Sequence, residues 1–99
     1  FTELLCVTMS GADESLVLGC AAKAKAELEA STRGQAGVRV LGPAPLSVLR
    51  VNNNYRYRVT LCAPPGRGMR RLVADVVARY SEDKQFRGVS VYADTNPSD

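Results

Sequence analysis

LGPAPLSVLRVNNNYRYRVTL, residues 41–61, is the stretch that decides how the rest of the chain is organised. It opens on a Gly-Pro-Ala-Pro break, passes through a short apolar and basic segment, turns at Asn52-Asn53-Asn54 and returns as Tyr55-Arg56-Tyr57-Arg58. Two runs of strand-forming residues around an asparagine cluster predict a β-hairpin, because asparagine accepts the positive φ of tight turns. Side chains on a strand alternate between faces, so the returning arm sends its tyrosines to one side and its arginines to the other.

Upstream, Val38-Arg39-Val40-Leu41 predicts a short strand stopped by Gly42-Pro43, since proline cannot donate to a ladder. A polar loop at 31–37 separates it from a helix running to about Ala30, capped near Asp13, with the stripe Leu16, Val17, Cys20, Ala21, Ala24 and Leu28. Before that, Thr2 to Ser10 is apolar on both parities, as a strand central in a sheet would be. Downstream, Ala63-Pro64-Pro65-Gly66 ends the hairpin. A second helix, about 68–82, follows with the stripe Met69, Leu72, Val73, Val76, Val77 and Tyr80. Gly88 precedes a last alternating strand, 89–93.

The order strand, helix, strand, strand, helix, strand predicts an α+β fold: a split βαβ, ferredoxin-like two-layer sandwich carrying a β-hairpin. Both helices would cover one face of the antiparallel sheet and leave the other open. Parity then assigns the side chains. If Val59 and Leu61 face the helices, so do Tyr55 and Tyr57, and Arg56, Arg58 and Thr60 look outward. Val89, Val91 and Ala93 inward put Ser90 and Tyr92 outward; Val38 and Val40 inward put Arg39 outward.

Ninety-nine residues, 45% of them hydrophobic, make a single domain spanning 1–99. No apolar run approaches the roughly 20 residues of a membrane span, and no signal peptide is visible. The abrupt start on Phe1-Thr2-Glu3-Leu4-Leu5 suggests a domain excised from a longer protein. Cys6, Cys20 and Cys62 are widely spaced in apolar surroundings, and the chain has no histidine. Reduced core thiols in a cytoplasmic protein fit this better than a zinc site.

The net charge of +3 conceals an asymmetry. Residues 33–71 hold eight arginines and no acid, while the segments on either side are net acidic. Such a block suggests an anionic partner. Catalytic patterns are missing: no histidine, no phosphate-binding loop ending in Lys-Ser or Lys-Thr, no G-x-S-x-G. The residues that remain are Arg39, Arg50, Arg56, Arg58 and Tyr92 as a basic, aromatic-bearing surface for nucleic acid. Arg67, Arg70 and Arg71 gather at the start of the second helix, where backbone N–H groups also favour anions. Both clusters can also be read as ordinary solvated arginines. Tyr55 and Tyr57 either brace the hairpin, as parity favours, or stack bases.

The run VLGPAPL, the arm YRYRV, an arginine-led helix and a close on Asp94-Thr95-Asn96-Pro97 together resemble the C-terminal domain of the PriA family. These are bacterial replication-restart DNA helicases, also called primosomal protein N′. The opening FTELLCVTMSG resembles the segment by which that family's chain enters this domain, so the similarity spans nearly the whole sequence. The family usually has Asp-x-Asp-Pro at its end and often Trp in the hairpin arm, where this chain has Asn96 and Tyr57.

The resemblance implies a fold like that of a small-subunit ribosomal protein with a long hairpin. It implies a parent enzyme with an ATP-driven motor and a zinc-binding insertion, and a fragment that is itself non-catalytic and free of cofactors. The implied partners are branched or single-stranded DNA, the helicase core of the same chain, and the acidic tail of single-stranded-DNA-binding protein, held near Arg67. Two other readings stay open: a structural module docking on the helicase core without touching DNA, and a ribosome-type RNA-binding domain.

Overall fold

The computed structural model describes residues 2–51 and 53–95, with the side chains of 47–51 outside that description. The elements are β1 (Glu3–Gly11), α1 (Glu14–Ser31), β2 (Arg39–Val51), β3 (Asn54–Ala63), α2 (Arg67–Ser81), a 3₁₀ turn (Lys84–Phe86) and β4 (Ser90–Thr95). The four strands form one antiparallel sheet in the order β2-β3-β1-β4. This is the expected split βαβ, ferredoxin-like sandwich.

β1 is central because its sequence can be buried on both sides: Leu5, Cys6, Val7, Thr8 and Met9 are all buried. Leu5, Val7 and Met9 lie opposite Leu61, Val59 and Tyr57 of β3, and this row packs against the helices. Asp13 caps α1, its Oδ1 accepting from the Leu16 amide at 3.2 Å, so the helix starts where the sequence signal placed it. Val17, Cys20, Ala21, Ala24 and Leu28 are buried beneath it. From α2, Val73, Val76 and Tyr80 enter the core, and Met69, Leu72 and Val77 pack at its margin. Phe86 of the 3₁₀ turn, which no periodic pattern signals, completes the core beside Tyr80 at a centroid distance of 6.1 Å.

Three expectations need correction. First, Gly42-Pro43 does not end a strand: β2 runs through it. Leu41 pairs with Thr60 and Ala44 with Arg58, so one extra β2 residue is accommodated as a bulge and proline's missing N–H falls outside the ladder. Gly42, at φ +98, makes the bend, and the Gly42–Pro43 peptide is cis. A second irregularity lies between Pro45 and Arg50, which pair with Tyr57 and Tyr55.

Second, the last strand is Ser90–Thr95 rather than 89–93. Ala93 lies opposite Val7 on the helix side yet is exposed, because β4 is an edge strand that the helices do not fully cover. Third, the acid-free run of arginines at 33–71 does not make an acid-free face, since Asp94 pairs opposite Cys6 on that side. Asn53 has φ 64, as a tight hairpin turn needs; Asn52 and the Asn96-Pro97 end lie outside the described residues.

Cys6, Cys20 and Cys62 are free and buried. Burial, with Asp83 nearby, pushes the Cys20 thiol from its ordinary 9.0 up to about 11. Burial, reinforced by a hydrogen bond donated to Glu27, pushes the Tyr80 phenol from 10.0 to about 12. Both groups are therefore held neutral in the folded state. Their stabilisation is fully present below pH 9 and is lost as pH rises through about 11 and about 12. Urea midpoints should be level to pH 9 and fall between pH 9 and 12, and Cys20→Ala should lessen the earlier part of the fall.

Candidate nucleic-acid interface

The face of the sheet away from the helices is set by register. Across it, Tyr92 of β4 lies opposite Thr8 of β1, Thr8 opposite Arg58 of β3, and Arg58 opposite Ala44 of β2. Toward the hairpin apex the next row holds Ser90, Ser10 and Arg56. In the other direction come Asp94, Cys6, Thr60 and Leu41, then Leu4, Cys62 and Arg39. Arg39 lies opposite Cys62, six β3 positions from Arg56, so the guanidinium-bearing residues span roughly 20 Å along the sheet.

Parity thus brings Arg39, Arg56, Arg58 and Tyr92 onto one face. Arg39 and Tyr92 are exposed, and Arg56 and Arg58 are half-buried. Arg50 pairs with Tyr55 in the hairpin, and its side chain lies outside the described residues. The centre of the face is tightly filled: Thr8 and Cys6 are each 2% exposed, and Cys6 Sγ meets Thr60 Oγ1 at 3.5 Å. The three large apolar residues most exposed among those described, Leu4, Leu41 and Tyr92, all stand on this face.

The bulged part of β2 adds a feature that alternation could not foresee. Leu41, Ala44, Pro45 and Leu46 form the apolar walls of a pocket of about 320 Å³, edged by Arg58 and Thr60. Leu46 is buried although it lies beyond the regular ladder.

The tyrosines of the returning arm belong to the other layer. Tyr57 is buried and its hydroxyl donates to Glu14 Oε2 at 2.6 Å, which pushes the phenol above its ordinary value; Tyr55 packs against the core margin. Their bracing role was legible in the alternation, but the Glu14 partner was not.

The arginines at the start of α2 divide. Arg70 makes a two-point contact with Glu3, Nε to Oε1 at 3.2 Å and Nη2 to Oε2 at 2.5 Å. Arg71 reaches Asp75 at 3.7 Å on the same exposed helix face. Arg67 is exposed and makes no hydrogen bond or ion pair among the described residues. The helix is entered at Gly66 with no side-chain cap and no acid in its first turn.

The Arg70 hydrogen bond holds the Glu3 carboxyl below its ordinary 4.5, against the opposing effect of burial. This contribution is present above about pH 4.5 and is lost as pH falls through the lower folded value. Arg70→Ala should lower the melting temperature at pH 7, with the gap to wild type closing toward pH 3. Arg67→Ala should leave the melting temperature unchanged at both.

No group of metal-ligating side chains occurs among the described residues, and none of the described helices is long and apolar enough to cross a membrane. The family described as Primosomal protein N C-terminal domain matches residues 1–98. No curated protein matches the chain.

Among solved structures the fold is similar to the de novo designed protein Foldit4, with 15% identity, a TM-score of 0.65 and 100% of both chains covered. It is also similar to part of a hydantoinase/carbamoylase family amidase from Burkholderia ambifaria, with 21% identity and a TM-score of 0.60. A putative amidohydrolase/peptidase from Burkholderia cenocepacia gives 17% identity and a TM-score of 0.56. The alignments cover 95% of this chain but only 27% of each of the two enzymes. At these identities the likeness is one of fold.

Proposed function

We propose, since the chain belongs to the family of primosomal protein N C-terminal domains, that it is a non-catalytic DNA-binding and docking domain of a helicase serving replication restart. Forked or single-stranded DNA lies along the open face of the sheet, with Arg39, Arg56 and Arg58 on its phosphates and Tyr92 offering a ring for stacking. Arg50, at the hairpin position opposite Tyr55, is proposed as a further DNA contact. The observation that carries this reading is the gathering of three arginines and an exposed tyrosine on a face that has no helical layer above it.

Arg67, free of local partners, is the better candidate for the acidic tail of single-stranded-DNA-binding protein. Arg70 and Arg71 already have carboxylates beside them. The test of DNA binding is fluorescence anisotropy of the 99-residue chain on forked DNA across a salt series. Binding indifferent to salt would overturn it.

One observation favours a second reading, in which this face docks on the helicase core: Leu4 and Leu41 are 39% and 44% exposed beside the arginines. In that case the isolated chain has no DNA affinity, and substitutions on the face destabilise the full-length enzyme instead. The ribosome-type alternative would show as a preference for structured RNA in the same titration.

A further inference from the structure

We infer that the pocket formed by the bulged part of β2 is a seat for one unpaired nucleobase of a bound single strand. The inference rests on the DNA-binding reading and gives the open face a structural preference that phosphate contacts alone lack. Phosphate contacts follow the backbone and are blind to whether a base is paired. A recess in a sheet face reads something else, because only a base swung out of a helix can enter it.

The pocket has the make-up such a seat requires. Leu41, Ala44, Pro45 and Leu46 present apolar walls suited to the flat faces of a base. Thr60 and Arg58 stand at the edge, where the polar rim of a base would meet a hydroxyl and a guanidinium. Its volume of about 320 Å³ lies at the low end of small-ligand pockets, as suits a single ring system.

The walls are also fixed by backbone geometry. The extra residue between Leu41 and Ala44 resets the alternation, placing Ala44 opposite Arg58 on the open face, and Pro45 begins the second irregular stretch of the strand. Leu46 is 7% exposed, so that wall is packed in place.

Position ties the pocket to the basic surface. Ala44 and Tyr92 end the same register row, three strand spacings or roughly 14 Å apart, with Arg58 between them. A strand crossing the sheet from β4 to β2 would meet the exposed ring of Tyr92, pass Arg58 and reach the pocket. Base contacts of this kind are sequence-tolerant, so the seat selects for unpaired structure rather than for a particular sequence.

The test uses wild-type protein and two labelled single strands of equal length and phosphate number, one of oligothymidine and one wholly abasic. Oligothymidine is expected to bind about tenfold more tightly. Ala44→Phe, a change at an exposed wall residue, should fill the pocket and weaken oligothymidine binding severalfold while leaving the abasic affinity unchanged, with its fold verified by circular dichroism. An unchanged oligothymidine affinity would overturn the seat.

Equal binding of the two strands by the wild type would overturn the base seat and leave the phosphate-binding reading standing. Binding of neither strand would overturn both. If an acidic, leucine-containing peptide bound instead and Ala44→Phe abolished it, the pocket would be a protein-docking groove and the inference would fall.

Discussion

Replacing Arg56 and Arg58 together by alanine is expected to weaken binding to forked or single-stranded DNA about tenfold or more near 0.1 M salt. Each phosphate contact releases condensed counterions, adding about 0.7 to the slope of log affinity against log salt on a single strand. Losing two contacts should lower that slope by about 1.4, a change that an anisotropy titration at several salt concentrations measures directly. The residues are suited to the test because both lie on the face opposite the core. Their β3 neighbours Tyr57, Val59 and Leu61 supply the packing and remain untouched. Unchanged affinity and slope in a folded double variant would rule out this face as the DNA contact.

The largest effect on stability is expected at Gly42. A Cβ there would lie 2.6 Å from the carbonyl oxygen of Arg58 and 3.2 Å from the amide nitrogen of Ala44, and both are backbone atoms that cannot swing aside. The position also has φ +98, which side chains rarely tolerate. Gly42→Ala should therefore cost roughly 2–4 kcal/mol, a large share of the roughly 5–15 kcal/mol typical of a domain.

Gly34 supplies the control. Its φ is +81, but nothing lies within 4 Å of the added Cβ, so Gly34→Ala should cost only about 1 kcal/mol. Urea denaturation of the two variants separates the conformational penalty from the collision. Similar losses in both would mean that β3 does not press against the bend in β2.

These two positions mark how far the sequence can be read. Strict alternation made Arg56 and Arg58 legible: once Val59 and Leu61 are inward, period two leaves no choice for their neighbours. The helices were equally plain, because Val17, Cys20, Ala21, Ala24 and Leu28, and Val73, Val76 and Tyr80, recur at helical spacing. Gly42-Pro43 misled because glycine and proline signal a break locally, whereas here the partner strand holds the chain in the sheet across a bulge.

The pocket depends on that bulge and on Leu46, and neither follows from a periodic pattern. The Glu3–Arg70 and Glu14–Tyr57 contacts join residues 67 and 43 positions apart, and no local rule pairs them. The mixed character of the open face was missed for a related reason. Leu4 and Leu41 were assigned to strands buried or stopped, so their exposure beside the arginines emerged only from the register.

The central place of β1 has a consequence for how the molecule comes into being. Its ladder partners are distant in the chain, from 44 residues away at the Gly11–Tyr55 pair to 90 at Leu5–Thr95. A ribosome makes this strand before either neighbour. At about 5–20 residues per second, its β4 edge waits roughly 5–20 s for a partner. α1, β3 and α2 are made within that interval, but until β4 arrives one of the most apolar segments of the protein keeps an unpaired edge. Nascent-chain folding is thus governed by the last strand made, and the interval before its arrival is when holdase chaperones would find the most to bind.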